Sequence, residues 1–159
     1  MSDLPKLTVT LHQEQDFQFR VSFDGTAIPE LLTDESEPLG QGAGPSPVLM
    51  LTTAIANCLS ASLLFALRKF RNAPGPLVTR ATTELVRNEH GRLRVGHVQV
   101  DIQLAEAAAA HASIERILAQ FQDFCTVTES VRQGVSVDVS VRDAEGVTLH
   151  GSTRITAAG

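Results

Sequence analysis

The sequence predicts an α+β fold, and three patterns carry that expectation. Apolar and polar residues alternate strictly over Phe17–Phe23 and over Val135–Arg142, the period-two signature of half-buried strands. Val48 to Leu67 is a nearly unbroken apolar run preceded by Ser46-Pro47 and followed by Arg68-Lys69-Phe70-Arg71, which reads as one long helix. Leu77–Arg87 and Arg92–Leu104 are strand-like and flank Asn88-Glu89-His90-Gly91, so they form a long hairpin.

Taken in order, Lys6–Leu11 is the first expected strand, with Gln13-Glu14-Gln15 as its turn. In the second, Phe17, Phe19, Val21 and Phe23 share the core face. Arg20 lies on the opposite, solvent-facing side by parity. Asp24-Gly25 closes that strand, and residues 26–37 are short strand or loop. Residues 38–47 hold three Gly and three Pro and form a loop. The long helix is capped by Ser46, runs to Phe70 or Asn72 and is stopped by Pro74-Gly75-Pro76. Being apolar nearly all round, it is a buried central helix rather than a surface one. After the hairpin, Ala105–Gln120 is helical, with Ile114, Ile117, Leu118, Phe121 and Phe124 as its apolar stripe. Thr126–Gln133 is a short helix capped by Thr126 or Thr128 and closed by Gly134 in a left-handed conformation. The final strand bears Val135, Val137, Val139 and Val141, and a last short strand follows the 143–146 turn. With no repeat or linker, residues 1–159 read as one domain.

Composition narrows the function. The 159 residues carry a net charge of −5 and only 4% aromatics, with no Trp and no Tyr, which argues against nucleic acid as a partner. Thr52, Thr53, Asn57, Ser60 and Ser62 interrupt the apolar run, so a membrane span is not expected. The first residues lack the basic-then-apolar pattern of a secretory signal, and the expected location is the cytoplasm. The five His show no ligand spacing and two Cys cannot build a Cys-rich zinc site, so neither a metal nor another cofactor is expected. Gly40-Gln41-Gly42-Ala43-Gly44 faintly resembles a phosphate loop but lacks the Lys-Ser/Thr of a P-loop.

The remaining chemistry is that of two thiols. Cys58 falls mid-way along the long helix, with Ala54, Ile55, Ala61 and Ser62 on its face; three of the four are small and leave room at the sulfur. Apolar burial alone would make it inert, so a reactive Cys58 needs a cation or donor from elsewhere; otherwise it is a small core hydrophobe. Cys125 directly precedes the short helix, where unpaired N–H groups favour a thiolate, or else it packs at a helix junction. The 66 residues between the two say nothing about their distance in space.

Gly42-Ala43-Gly44-Pro45-Ser46-Pro47, the apolar helix with Asn57-Cys58-Leu59-Ser60, and Cys125-Thr126-Val127-Thr128-Glu129-Ser130 before a Val-alternating strand resemble the OsmC/Ohr family, and the element order matches from Lys6 to Val141. The resemblance implies an intertwined homodimer with buried central helices and thiol-based reduction of organic hydroperoxides. Carried over, Cys58 attacks the peroxide, Cys125 closes a disulfide, and a dithiol reductant restores both. Family peroxidases place a Glu after the helix-opening proline, where Val48 stands here, and in the first hairpin an Arg that activates the thiol; Arg20 on the second strand, the only Arg before Cys58, is the candidate for that role. They usually follow the second Cys with Pro, here Thr126. These departures place the chain in a divergent OsmC-like branch. They also imply an alternative, a drier cleft that binds a small hydrophobic molecule without peroxidase activity.

Overall fold

A computed structural model describes residues 4–151, so the ends of the expected domain, 1–3 and 152–159, lie outside it. The chain divides into two compact units, residues up to 51 and residues from 52 on.

The first unit is a three-stranded antiparallel sheet of β1 (Val9–Gln15), β2 (Gln18–Phe23) and β3 (Leu31–Thr33) in that order. The first strand runs later than expected and takes in Gln13-Glu14-Gln15. The reversal falls on Asp16 and Phe17 instead, because Asp16 adopts the left-handed region (φ 44°) that a short polar residue tolerates. Phe17 thereby leaves the strand and is exposed. Val21 is buried, and so is Gln18, whose amide donates to Asp34.

The glycine-rich loop is explained by the same Asp34. Its buried carboxylate accepts the backbone N–H groups of Glu35, Gln41 and Ala43 at 2.8–3.0 Å. The loop amides that suggested a phosphate cradle therefore close on an internal anion. Gly40 and Gly44 are required there, since a Cβ would lie 2.2 Å from the Glu35 carbonyl oxygen and 2.1 Å from that of Leu32.

Helix α1 (Pro47–Lys69) begins as expected: Ser46 Oγ accepts the Leu49 N–H at 3.3 Å, and Pro47 occupies the first helical position. It ends with Arg71 in the left-handed region (φ 64°) and the Asn72 N–H on the Leu67 carbonyl.

In the second unit, β4 (Val78–Arg87), β5 (Leu93–Gln103), β6 (Ser136–Arg142) and β7 (Thr148–Gly151) form one sheet in that order. The β4–β5 hairpin is antiparallel and the β5–β6 pairing is parallel. Val98, Val100 and Ile102 of β5 and Val137, Val139 and Val141 of β6 are buried, as is one stripe of α1: Ile55, Leu59, Ser62, Leu63, Ala66 and Leu67. Two hydroxyl pairs fasten the helix to β4, Thr52 to Thr83 and Ser60 to Thr79 (2.6 Å). Two of the polar residues that interrupt the apolar run, Thr52 and Ser60, thus have partners on the sheet.

The opposite stripe of α1 is exposed in the single chain: Leu49, Thr53, Ala54, Asn57, Ala61 and Phe65. By length and composition α1 is the one described helix that could cross a membrane.

The Ala105–Gln120 segment departs from its expected form. The alanines make a single 3-10 turn, Ala108–Ala110, and α2 is only Ile114–Gln120. Tertiary bonds override helix propensity here: the Ala108 N–H goes to the Asp143 carboxylate, the Glu106 carbonyl accepts the Ala144 N–H, and Ser113 is left-handed at φ 57°. Phe121–Phe124 continues as a second 3-10 turn, which buries Phe121 and leaves Phe124 exposed rather than on the core stripe. Helix α3 (Thr126–Val131) follows. Gly134 does not take the expected left-handed conformation; the Gly134 and Val135 N–H groups both return to the Val131 carbonyl.

Candidate active site

The site consists of two thiols on two helical elements of the second unit. Cys58 lies at the seam of α1, between the buried stripe (Ile55, Leu59, Ser62) and the exposed one (Ala54, Asn57, Ala61). It is partly exposed, and the small residues flanking it keep the approach to its sulfur open.

Cys125 is fully buried. It is itself the N-cap of α3, in place of the expected Thr126 or Thr128. Its backbone is extended (φ −87°, ψ 93°) and its carbonyl accepts the first helical bond, from Glu129 N–H at 3.0 Å. The Cys125 thiol donates to Thr128 Oγ1 at 2.9 Å. Cys58 is close enough for its thiol to act on the Cys125 sulfur. Both cysteines are free thiols.

The electrostatics of Cys125 follow from those neighbours. Burial pushes the thiol above its ordinary value of 9.0, and the Cys58 thiol adds to the rise. The Thr128 hydroxyl and backbone N–H oppose it, because both stabilise the anion. At neutral pH Cys125 is therefore a protonated thiol, while Cys58 is the partly exposed cysteine of the two.

Around the thiols the surface is apolar and aromatic. Phe65, two helical turns beyond Cys58, faces Phe124, the neighbour of Cys125, with ring centroids 6.4 Å apart. Both rings are about half exposed, and Lys69 Nζ stands 5.7 Å above Phe124. A groove of 480 Å³ runs beside α1, lined by Asn57, Ser60, Ala61, Leu64, Arg68 and the 74–77 segment.

Arg20 belongs to the first unit. Its guanidinium is 39% exposed and is gripped by Glu14 across the hairpin at 2.5 and 3.0 Å, with Glu30 at 3.9 Å. The bond to Arg20 holds the Glu14 carboxyl below its ordinary range. Val48 occupies the second position of α1. No group of three His, Cys, Asp or Glu side chains is placed to hold a metal among the described residues. Thr128 was missed by sequence reasoning as a member of the site, although its spacing of three from Cys125 was visible. The Phe65–Phe124 pair joins two elements and left no trace in the sequence.

The family model described as OsmC-like protein matches residues 40–140. No curated protein sequence matches the chain. Among solved structures, an OsmC-like protein of unknown function from Vibrio cholerae superposes with a TM-score of 0.74 at 16% identity, covering 87% of this chain and 99% of that one. An organic hydroperoxide resistance protein from Elizabethkingia anophelis, with thiocyanate bound, gives 0.69 at 15% identity, covering 90% and 99%. The organic hydroperoxide resistance protein OhrB of Bacillus subtilis gives 0.63 at 15% identity, covering 86% and 98%. At such identities the structural likeness speaks for the fold, and the match over residues 40–140 speaks for descent: the chain belongs to the OsmC-like protein family.

Proposed function

We propose that this protein is a two-cysteine peroxidase that reduces organic hydroperoxides. The observation that carries the reading is two free thiols close enough for one to act on the other, Cys58 partly exposed and Cys125 buried. The names of the hydroperoxide resistance proteins that share the fold point the same way. The Cys58 thiolate attacks the distal oxygen of the hydroperoxide. The O–O bond breaks, the alcohol leaves, and Cys58 becomes a sulfenic acid. The Cys125 sulfur then attacks Cys58, expelling water and closing a disulfide. A dithiol reductant exchanges with that disulfide, returns both thiols and is itself oxidised. The exposed Phe65 and Phe124 rings offer an apolar surface to the organic part of the peroxide.

The exposed apolar stripe of α1 supports a homodimer in which a second copy covers it, since an all-round apolar helix is otherwise left half in water.

The test is one equivalent of cumene hydroperoxide followed by intact mass and thiol titration. The expected result is loss of two thiols and two mass units within minutes, and of neither in Cys58→Ser. Retention of both thiols overturns the reading. The groove beside α1 favours a second reading, a binder of small hydrophobic molecules, with the Arg68 guanidinium available to an acidic head group. That reading predicts thermal stabilisation by such a ligand that survives Cys58→Ser.

A further inference from the structure

We propose that Thr128 is the positioning residue for disulfide closure: its hydroxyl orients the Cys125 thiol and donates to the sulfur as it attacks Cys58. The inference rests on the peroxidase reading and concerns only its second step.

In the resting protein the Cys125 S–H points at Thr128 Oγ1, 2.9 Å away. Cys125 and Thr128 are both 0% exposed, so no bulk water replaces this bond. Occupying the proton on Thr128 leaves sulfur lone pairs free for Cys58, whose thiol is near enough to act on this sulfur. A threonine hydroxyl is both donor and acceptor, and its hydrogen rotates to suit its neighbour. No other side chain bonds the Thr128 hydroxyl among the described residues. Its hydrogen can therefore swing onto the sulfur once the thiol proton has left.

That exchange matters because burial makes Cys125 a reluctant nucleophile. Closure forms the Cys58–Cys125 S–S bond and breaks the S–O bond of the sulfenic acid. The departing hydroxide combines with the Cys125 proton, so the products are the disulfide and one water. Sulfur attacks as thiolate, and the fraction of thiolate depends on donors to that sulfur. The hydroxyl of Thr128 bonds the Cys125 sulfur, and it works with the Thr128 backbone N–H against the rise that burial and Cys58 impose. The backbone N–H is untouched by side-chain substitution, so the hydroxyl can be removed alone.

The experiment uses the full chain, reduced, mixed with one equivalent of cumene hydroperoxide and acid-quenched at increasing times. Intact mass counts sulfenic acid against disulfide, since the chain has neither Trp nor Tyr to report optically. Thr128→Val keeps the side-chain volume and loses the oxygen. At neutral pH it should close the disulfide about three- to tenfold more slowly: the thiolate fraction falls about tenfold, and higher intrinsic nucleophilicity recovers part of that. At a pH above both thiol values the deficit should vanish or reverse, which a merely misplaced sulfur would not show. Thr128→Ser should close at nearly the wild-type rate. Should Thr128→Val fail to fold, Thr128→Ala against Thr128→Ser carries the same comparison.

Unchanged closure and an unchanged pH profile in Thr128→Val overturn the positioning role, as does a deficit that is equal at every pH. Absence of sulfenic acid at Cys58 in Cys125→Ser overturns the peroxidase reading instead.

Discussion

At the scale of single residues, the two cysteines differ in what water can reach. Cys58 sits on a helix seam and Cys125 lies beneath the surface. A small maleimide should therefore label Cys58 well before Cys125 in the reduced protein, and mass mapping after a short pulse would show it. Equal labelling of both would mean that Cys125 is not buried in solution. Burial also ties Cys125 to stability. Its folded thiol titrates above the ordinary 9.0, so the unfolded chain loses that proton first as pH rises. The contribution is complete below the ordinary value and is lost as pH climbs from it through the folded value. Urea midpoints should thus fall faster above pH 9 in the wild type than in Cys125→Ala.

Among the elements, α1 decides most. Its buried stripe is Ile55, Leu59, Leu63, Ala66 and Leu67, while the exposed stripe carries Ala61 and Phe65 with no cover from its own unit. Replacing the exposed Ala61 with arginine leaves the buried stripe intact. Ala61→Arg should convert the proposed dimer to a monomer in light scattering while keeping its helical circular dichroism, since surface substitutions usually change fold stability by only about 0.5 kcal/mol. A wild type that is already monomeric, or an Ala61→Arg variant that stays dimeric, would place the partner elsewhere or nowhere. Leu59, fully buried on the other stripe, offers the contrast. Leu59→Ala should cost about 2–5 kcal/mol through lost burial and a cavity.

For the molecule as a whole, two buried carboxylates act as internal nuclei for loops. The Ala43 N–H, then those of Gln41 and Glu35, hold Asp34 below its ordinary value of 3.8 against the pull of burial. At Asp143 burial pulls the value up, but N–H groups of Ala108, Val147, Glu145 and Gly146 outweigh it. Both groups have lowered folded values. Their contribution is therefore complete above about the ordinary 3.8 and is lost as pH falls through the folded values. Acid titration of ellipticity should show a loss of stability below pH 4 that is smaller in an Asp34→Asn, Asp143→Asn double variant. That variant should also melt at lower temperature at pH 7.

Local pattern alone determined much of this. Alternating valines fixed β6, Ser46-Pro47 fixed the start of α1, and the two cysteines in their elements carried the family resemblance, because strand parity and helix capping act within a few residues. Tertiary contacts decided the rest. The alanines at 107–110 became one turn because Asp143 and Ala144 took their neighbourhood's backbone bonds. The glycine loop became the wrapping of Asp34, a residue outside the loop. The bond of Cys125 to Thr128, and the proposed partnership of Cys125 with Cys58, depend on where α3 lands after two 3-10 turns and an extended Cys125. Sequence spacing sets which face of its own element a thiol occupies. Only the packing of one element against another sets which atom it meets.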